Sequence, residues 1–260
     1  EAIAAGRDPN SPADPDFNGE LWSERIIEVE PDWSDGEGGT IVWDWYLKDH
    51  VVANSAAKPD NVANHPELVD IDFEPVEGNA ATMADWAHFN GIDYSPRNDQ
   101  IVISSRDFSE LLVIDHSTTI EEAAGHSGGR SGMGGDILYR WGNPEVYDRG
   151  SRQTQQLFHQ HNAQWIAPGL AGQDNLLVYN NGSFRPDGSE YSTVVELVPP
   201  DNRQWKLNNK TDGSITDLKI FGTRALNDAA AFAELDHPWS SSWIPLAGDW
   251  DAGGGDGVGF

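Results

Sequence analysis

Residues 89–117, FNGIDYSPRNDQIVISSRDFSELLVIDHS, contain three short runs rich in Ile, Val and Leu, separated by residues that favour turns. The cluster SPRND at 95–99 is the clearest of these turns. A fourth run, DILYRWG, follows at 136–142. Short β-prone runs bounded by Gly, Pro, Asn, Asp and Ser are typical of strands. The stretch therefore predicts a unit of four consecutive strands.

Similar units lie on either side of this stretch. WSERIIEVE at 22–30 leads into GGTIVWDWYL at 38–47, and HNAQWIAPGLAGQDNLLVYNNG at 161–182 leads into STVVELV at 192–198. Many short strands without helical periodicity predict an all-β fold, which is a sandwich, barrel or propeller. Recurrence of similar units favours the β-propeller. The longer segments 52–82 and 117–135 are predicted to be functional or surface loops.

The charge of the chain limits its partners. The 43 Asp and Glu residues outnumber the 16 Lys and Arg residues, giving a formal net charge of -27. Such a chain repels phosphates, so nucleic acid and anionic membranes are excluded as expected partners. A dispersed acidic surface suits a protein that works in high salt, because salt screens self-repulsion. An ordinary acidic exported protein has the same composition, and both interpretations stay open.

The absence of cysteine excludes disulfides, a thiol nucleophile and cysteine-ligated zinc. No apolar run approaches the roughly 20 residues of a membrane span. The sequence begins at Glu1 without Met, which is compatible with a processed, exported product.

Basic side chains recur at corresponding places in two units. His88 precedes the strands of one unit, and His161 begins the next one, 73 residues later (161 minus 88). Arg106 ends a strand of the His88 unit, and Arg185 follows a strand of the His161 unit. Together they predict an anion cradle, because guanidinium binds sulfate or phosphate oxygens in pairs and imidazole transfers protons near neutral pH. Locally hydrogen-bonded histidines remain the alternative.

Several of these segments together resemble the bacterial arylsulfotransferase family over residues 20–198. The quoted motifs that carry the resemblance are ELWSERIIEVEP, GGTIVWDWYLKDHVV, NHPELVDIDF, DWAHFNGIDYSPRNDQIVISSRDFSELLVIDHSTT, GGDILYRWGNPEVY and LFHQHNAQWIAPGL. The resemblance implies an exported six-bladed propeller, here complete or partial. It also implies transfer of a sulfuryl group from an aryl sulfate to a phenol, without a phosphoadenosine cofactor.

The resemblance also assigns candidate residues. His88 and Asn90 match the H-x-N motif, and His161 matches the histidine of Q-H-[DN]-A, where Asn162 replaces the commoner Asp. It implies that His88, His161 and Arg185 bind the sulfuryl oxygens and assist proton transfer. Asn90, Arg106 and Asn181 are expected to contact substrate. His159 stands where the family usually has a small residue, so it is the less expected catalyst.

The expected nucleophile has no clear match. In the family the sulfated histidine comes from a later blade, and the histidine that remains in the later part of this chain is His237. The surroundings of His237, LDHPWSSS, do not match the family pattern. Two other functions therefore remain as alternatives. They are a non-catalytic module that binds calcium or a glycan, and a sulfate-ester hydrolase.

The C-terminal segment resembles a different family. The break PPDN divides the chain into a predicted propeller region, 1–203, and a segment 204–260 that is either a repeat or divergent final blades. PLAGDWDAGGGDGVGF resembles the FG-GAP repeats of integrin-type surface proteins, in which alternating carboxylates bind calcium. Asp249, Asp251 and Asp256 match these ligands, whereas Gly253 replaces one carboxylate. A plain glycine-rich turn is the alternative.

Other motifs are weaker. His159 and His161 with His88 could form a three-histidine zinc site, but Arg185 nearby would repel a cation. The segment HSGGRSGMGGD at 126–136 lacks the Lys-Ser/Thr of a phosphate-binding loop. The G-x-S-x-G spacing at 125–129, GHSGG, lies in a predicted loop and not at a strand-to-helix elbow, so it does not mark a hydrolase nucleophile.

Overall fold

Short antiparallel strands make up most of the structure, a computed structural model. It describes residue 7, residues 21–34, 38–53, 61–75 and 84–199, and the backbone of 220–225. The strands are β1 (Arg25–Pro31), β2 (Gly39–Tyr46), β3 (Val51–Val52), β4 (Val69–Asp70), β5 (Phe89–Ser95), β6 (Gln100–Ser105), β7 (Glu110–Asp115), β8 (Tyr139–Trp141), β9 (His161–Trp165), β10 (Leu176–Asn180), β11 (Thr193–Leu197) and β12 (Ile220–Ala225).

Helices are few and short in the described ranges. One α-helical turn, α1 (Ile120–Ala123), follows β7, and 3-10 turns lie at Leu47–His50, Pro144–Tyr147 and Arg152–Thr154. Thr119 caps α1, because its hydroxyl accepts from the Glu122 amide while the Glu122 carboxylate accepts from the Thr119 amide. None of the described helices has the length and apolar character that crossing a bilayer would need. The all-β prediction is therefore confirmed.

The strands form two four-stranded sheets and two smaller pairs. The orders are β5-β6-β7-β8 and β12-β11-β10-β9, beside the pairs β1-β2 and β3-β4. Both four-stranded sheets are antiparallel throughout, as the predicted four-strand unit requires. They do not close into a ring within the described residues, so the propeller stays a prediction. The predicted domain boundary at 203/204 also stays a prediction, because residues 200–219 and 226–260 lie outside the described part.

The β5–β8 sheet is covered on both faces. Every residue of β6 and β7 is buried, which explains why these strands read as nearly continuous apolar runs rather than alternating ones. Successive side chains point to opposite faces of a strand. The side chains on one face of this sheet pack with Trp43 and Trp45 of β2. Those on the other face pack with Leu176 and Leu197 of the second four-stranded sheet. The sheet is thus a central layer between its two neighbours.

The strands β5 and β9 meet where the two four-stranded sheets adjoin. A Cβ on Gly91 would lie 3.3 Å from the Asn162 backbone nitrogen, so glycine permits the close approach. The Trp165 amide donates to the Asp93 carboxylate at 2.7 Å. Both strands carry a bulge, at Asn90 in β5 and at Asn162 in β9. A bulge bends the strand and redirects its side chains, which here occurs next to the predicted site.

Candidate active site

Buried amides fix the segment that leads to His161. Gln160 is fully buried, and its Nε2 donates to the backbone oxygens of Ser105 and Glu110 at 2.8 and 2.9 Å. The Asn180 side chain accepts from the Phe158 amide at 2.8 Å. Because these bonds join the segment to β6, β7 and β10, the start of β9 has a defined position.

His161 is held in one tautomer. Its Nδ1 lies 3.2 Å from the His159 backbone oxygen and 3.0 Å from Asn181 Oδ1. A backbone oxygen only accepts, so Nδ1 carries the proton and Nε2 of the neutral ring keeps its lone pair. Burial lowers the pKa of His161 below its ordinary value, the bond to Asn181 opposes this, and the charge of Arg106 lowers it further. The ring is therefore a neutral base near pH 7.

His88 forms a dyad with an acidic residue. Its Nδ1 lies 2.6 Å from Asp85 Oδ2, and its side chain is 40% exposed. Its φ of 47° places it in the left-handed region just before β5, where non-glycine residues are uncommon and cluster at functional sites. The Arg106 amide donates to the His88 backbone oxygen at 3.0 Å. The carboxylate orients the ring so that Nε2 is the more accessible nitrogen.

Arg106 supplies the positive charge between the two histidines. Its Nη1 donates to Asp107 Oδ1 at 2.6 Å, which leaves further N–H donors of the guanidinium for a ligand. Burial raises the pKa of the Asp107 carboxyl, while Arg106 and His88 oppose the rise. Burial likewise raises the pKa of Glu24, whose carboxylate accepts from the Phe89 amide.

Asn90 bridges the two strands. Its Nδ2 donates to the Gln160 backbone oxygen at 2.8 Å. Its buried Oδ1 has no hydrogen-bond partner among the described residues. A buried amide oxygen without a partner is costly, so Asn90 has an acceptor to offer a ligand or water.

Arg185 lies beside the segment that precedes His161. Its guanidinium stacks on Tyr191 and Phe158, with its Cζ atom 4.1 and 4.8 Å from the two ring centres. Its Nη2 donates to the Tyr191 backbone oxygen at 3.3 Å, and its Nε is buried without a partner in the described part of the chain. Stacking on two rings fixes the plane of the guanidinium. Arg185 is thus an oriented donor next to the histidine strand.

A cavity with aromatic walls lies beside these residues. Phe73, Phe158 and Phe184 line it together with Asp107 and Arg152. His159 also lines it, and its ring packs edge-on against Phe184 with centroids 5.1 Å apart. The cavity has room for about one water molecule, so it is too small to enclose a ring.

The structure brings four of the six residues from the predicted anion site into one group. His161 is bonded to Asn181 and lies within electrostatic range of Arg106 and His88. Asn90 adjoins this group through Gln160, and Arg185 adjoins it through Phe158. The metal candidates Asp249, Asp251 and Asp256, and the nucleophile candidate His237, lie outside the described residues.

The bulges of β5 and β9 lie beside the two histidines. Asn90 is the extra residue of β5, and Asn162 and Ala163 together face Val178 in the pairing of β9 with β10. The zinc alternative gains no support, since His159 directs its ring at Phe184 and its backbone oxygen at His161.

Three residues of the site were missed from sequence. Asp85 lies three positions before His88, Asp107 follows Arg106, and Gln160 precedes His161. An acidic residue within three positions of a candidate histidine or arginine was an available signal, because such a partner fixes a tautomer or a guanidinium. For Gln160 the signal was its place as the first residue of the Q-H-[DN]-A motif, whereas its acceptors on β6 and β7 could not be predicted.

Comparison with known proteins identifies one family. The model of the family described as Arylsulfotransferase (ASST) matches residues 5–207. A search of curated proteins found no match.

Proposed function

The chain belongs to the arylsulfotransferase family, and on this premise we propose that it transfers a sulfuryl group from an aryl sulfate to a phenolic acceptor through the His88, Arg106 and His161 group. The family acts on aryl sulfates and phenols. The observation that carries the proposal is His161, a neutral imidazole with its Nε2 lone pair available beside a guanidinium. A base next to a fixed positive charge suits transfer between phenols.

Arg106 and Arg185 would bind the sulfuryl oxygens. Arg106 keeps N–H donors beyond the one that Asp107 occupies, and Arg185 has a buried Nε without a partner in the residues described. Guanidinium donors are worth more in a partly dehydrated site than in water. The aryl ring of donor or acceptor would lie at the mouth of the small cavity beside His159. In a chain with a net charge of -27, this local positive charge would direct an anionic ester to the site.

The reaction would proceed in two steps. A histidine nitrogen attacks sulfur, the S–O bond to the donor breaks, and its electron pair leaves with the phenolate oxygen. The acceptor oxygen then attacks the sulfur of the sulfated histidine, the N–S bond breaks, and the acceptor proton passes to a base such as His161 Nε2. His237 is the histidine left for the sulfated role, although its surroundings, LDHPWSSS, do not match the family pattern. No phosphoadenosine cofactor takes part.

The two four-stranded sheets support a propeller as the architecture of this enzyme. Each is an antiparallel meander, and their strands β5 and β9 contact each other at Gly91. Successive meanders that meet along one pair of strands are the arrangement of neighbouring blades. The site then lies where the two blades adjoin, at the N-terminal ends of β5 and β9. We also propose that the protein is exported, as the family resemblance implies.

The proposal is tested by following nitrophenol release from its sulfate ester by the 260-residue chain, with and without an acceptor phenol. Acceptor-dependent release together with sulfated acceptor in the product mixture is expected. Release without acceptor dependence would identify a hydrolase instead. Absence of both turnover and binding of the ester, measured by calorimetry, would contradict any activity of this site and leave the binding-module alternative.

The pKa of His161 gives a pH prediction. Because burial lowers this pKa in the folded protein, we expect its NMR titration midpoint below the ordinary 6.5. Below pH 6.5 the unfolded chain binds this proton before the folded chain does. His161 therefore lowers the free energy of unfolding progressively as the pH falls from 6.5 to its folded pKa. In Asn181→Leu the opposing hydrogen bond is lost, and the midpoint should fall further. A midpoint at or above 6.5 in the native chain would contradict the tautomer and burial described above.

A further inference from the structure

The glycine-rich segment 126–136 packs tightly onto the body of the protein. The Asp115 carboxylate accepts from the Ser131 amide at 2.8 Å, and the Ser117 hydroxyl accepts from the Arg130 amide at 2.8 Å. The Gly135 amide donates to the Gly125 backbone oxygen at 3.0 Å. A Cβ on Gly135 would lie 2.0 Å from the Ala123 oxygen. The segment is thus an ordered structure whose role the sulfuryl-transfer site leaves unexplained.

Two histidines converge on one carboxylate oxygen where this segment ends. His50 Nδ1 lies 2.9 Å and His126 Nδ1 2.7 Å from Asp136 Oδ1. The three donor atoms lie within 4.8 Å of one another, and this is the one such group found in the described residues. The His50 side chain is fully buried, whereas that of His126 is 61% exposed. From this group we propose a zinc site formed by His50, His126 and Asp136.

The spacing fits a small ion. Zinc binds imidazole nitrogen at about 2.0–2.1 Å, so two ligands of a tetrahedral ion lie about 3.3 Å apart. The observed 2.9 and 2.7 Å separations need to widen by about 0.5 Å to reach that value, and the two Nδ1 atoms, which lie within 4.8 Å of each other, need to reach it as well. His126 lies at the surface, so water can occupy the fourth position. Two imidazoles and one carboxylate favour zinc over calcium or magnesium, which prefer oxygen ligands.

The surroundings of His50 also fit a metal ligand. Its Nε2 lies 2.8 Å from the Ala123 backbone oxygen, and a ring N–H donated to a carbonyl is the usual support of a ligating histidine. Trp45 stacks on the ring at 5.3 Å and donates its own N–H to the Gly135 oxygen. With Nε2 protonated, a neutral His50 has no second proton for Asp136. A cation between Nδ1 and the carboxylate resolves this conflict.

The site shares no residue with the sulfuryl-transfer group. Arg106 precedes β7, whereas α1 and the segment 126–136 follow its other end at Asp115. The Trp45 ring contacts both the His50 ring at 5.3 Å and the ring of Phe89, which follows His88, at 6.4 Å. Zinc would join the 3-10 turn at His50 to both ends of the segment 126–136. Its role is therefore structural: it fastens this segment to β2 and β8.

The test uses the full chain after removal of metal by a chelator. We expect one Zn²⁺ per chain by calorimetry, and a rise in melting temperature of about 5–10 °C when zinc exceeds Kd about a hundredfold. His126→Ala removes an exposed ligand without opening the core, and it should abolish both effects. The matched control His65→Ala, a histidine of the described part that lies outside the cluster, should retain them.

Three outcomes would overturn the proposal. They are no zinc binding, unchanged zinc binding in His126→Ala, and a melting shift produced by calcium but not by zinc. Co²⁺ serves as a second probe, because four-coordinate Co²⁺ absorbs visible light strongly. We expect this absorption in the native chain and its loss in His126→Ala, and absorption retained in the variant would also contradict the site.

Discussion

Replacing Arg140 by methionine is expected to lower the free energy of unfolding by about 3–5 kcal/mol. Arg140 and Glu110 are 2% and 0% exposed and form two parallel bonds, Nε–Oε1 at 2.9 Å and Nη2–Oε2 at 2.5 Å. Burial raises the pKa of Glu110, and Arg140 opposes the rise. Methionine leaves that carboxyl buried without its partner. Urea unfolding followed by tryptophan fluorescence measures the change.

Two further variants separate charge from packing. Arg149→Met removes an exposed guanidinium that donates to the Ala63 backbone oxygen, and it should cost less than about 1 kcal/mol, as surface substitutions generally do. The double variant Arg140→Met with Glu110→Leu should be more stable than Arg140→Met alone, since no unpaired charge remains. A single variant as stable as the native chain would show that the pair contributes nothing net.

Replacing His161 by asparagine is expected to lower kcat for sulfuryl transfer about 10²–10⁴-fold, the usual contribution of a positioned base. Asparagine can still donate from near the Nδ1 position to the His159 oxygen, but it has no group at Nε2. His161→Gln places an amide near Nε2 and has no basic nitrogen. Both variants should fold and both should lose activity, whereas a structural role would be rescued by asparagine. Formation of the sulfated acceptor under single turnover measures the step in which His161 takes the acceptor proton.

His159 supplies the matched comparison for this prediction. Its φ is 51°, and asparagine tolerates that conformation. His159→Asn keeps the backbone oxygen that fixes the His161 tautomer and removes only a ring from the cavity. We therefore expect a change in KM for the aryl substrate and a kcat within about tenfold of the native value. Equal losses in both variants would contradict the assignment of His161 as the base.

The strands could be predicted because their signals are local. The apolar runs at 100–104 and 111–114 coincide with β6 and β7, since a strand buried on both faces has no polar alternation to obscure it. The pair β3-β4 was not predicted, because strands of two residues have no period to detect. The bulges at Asn90 and Asn162 depend on the register of the partner strand, which no local pattern encodes.

The candidate site was predictable only in part. His88, Arg106 and His161 could be named because basic residues recur at the ends of strands, whereas Asn181 was named through the family resemblance. The tautomer of His161 could not be predicted, since it depends on the backbone oxygen of His159. The buried pair of Glu110 and Arg140 was equally hidden. Charged residues at strand ends are normally expected to face solvent.

The chain order of the sheet β5-β6-β7-β8 has a consequence for how the protein forms during synthesis. All three of its strand pairings lie between Phe89 and Trp141, and neighbouring hairpins close within about 1–10 μs. At about 5–20 residues per second of translation, pairing is complete long before β9 leaves the ribosome. Until Leu176 and Leu197 arrive, one apolar face of the nascent sheet is uncovered. That interval is when the chain is most exposed to aggregation and most dependent on chaperones.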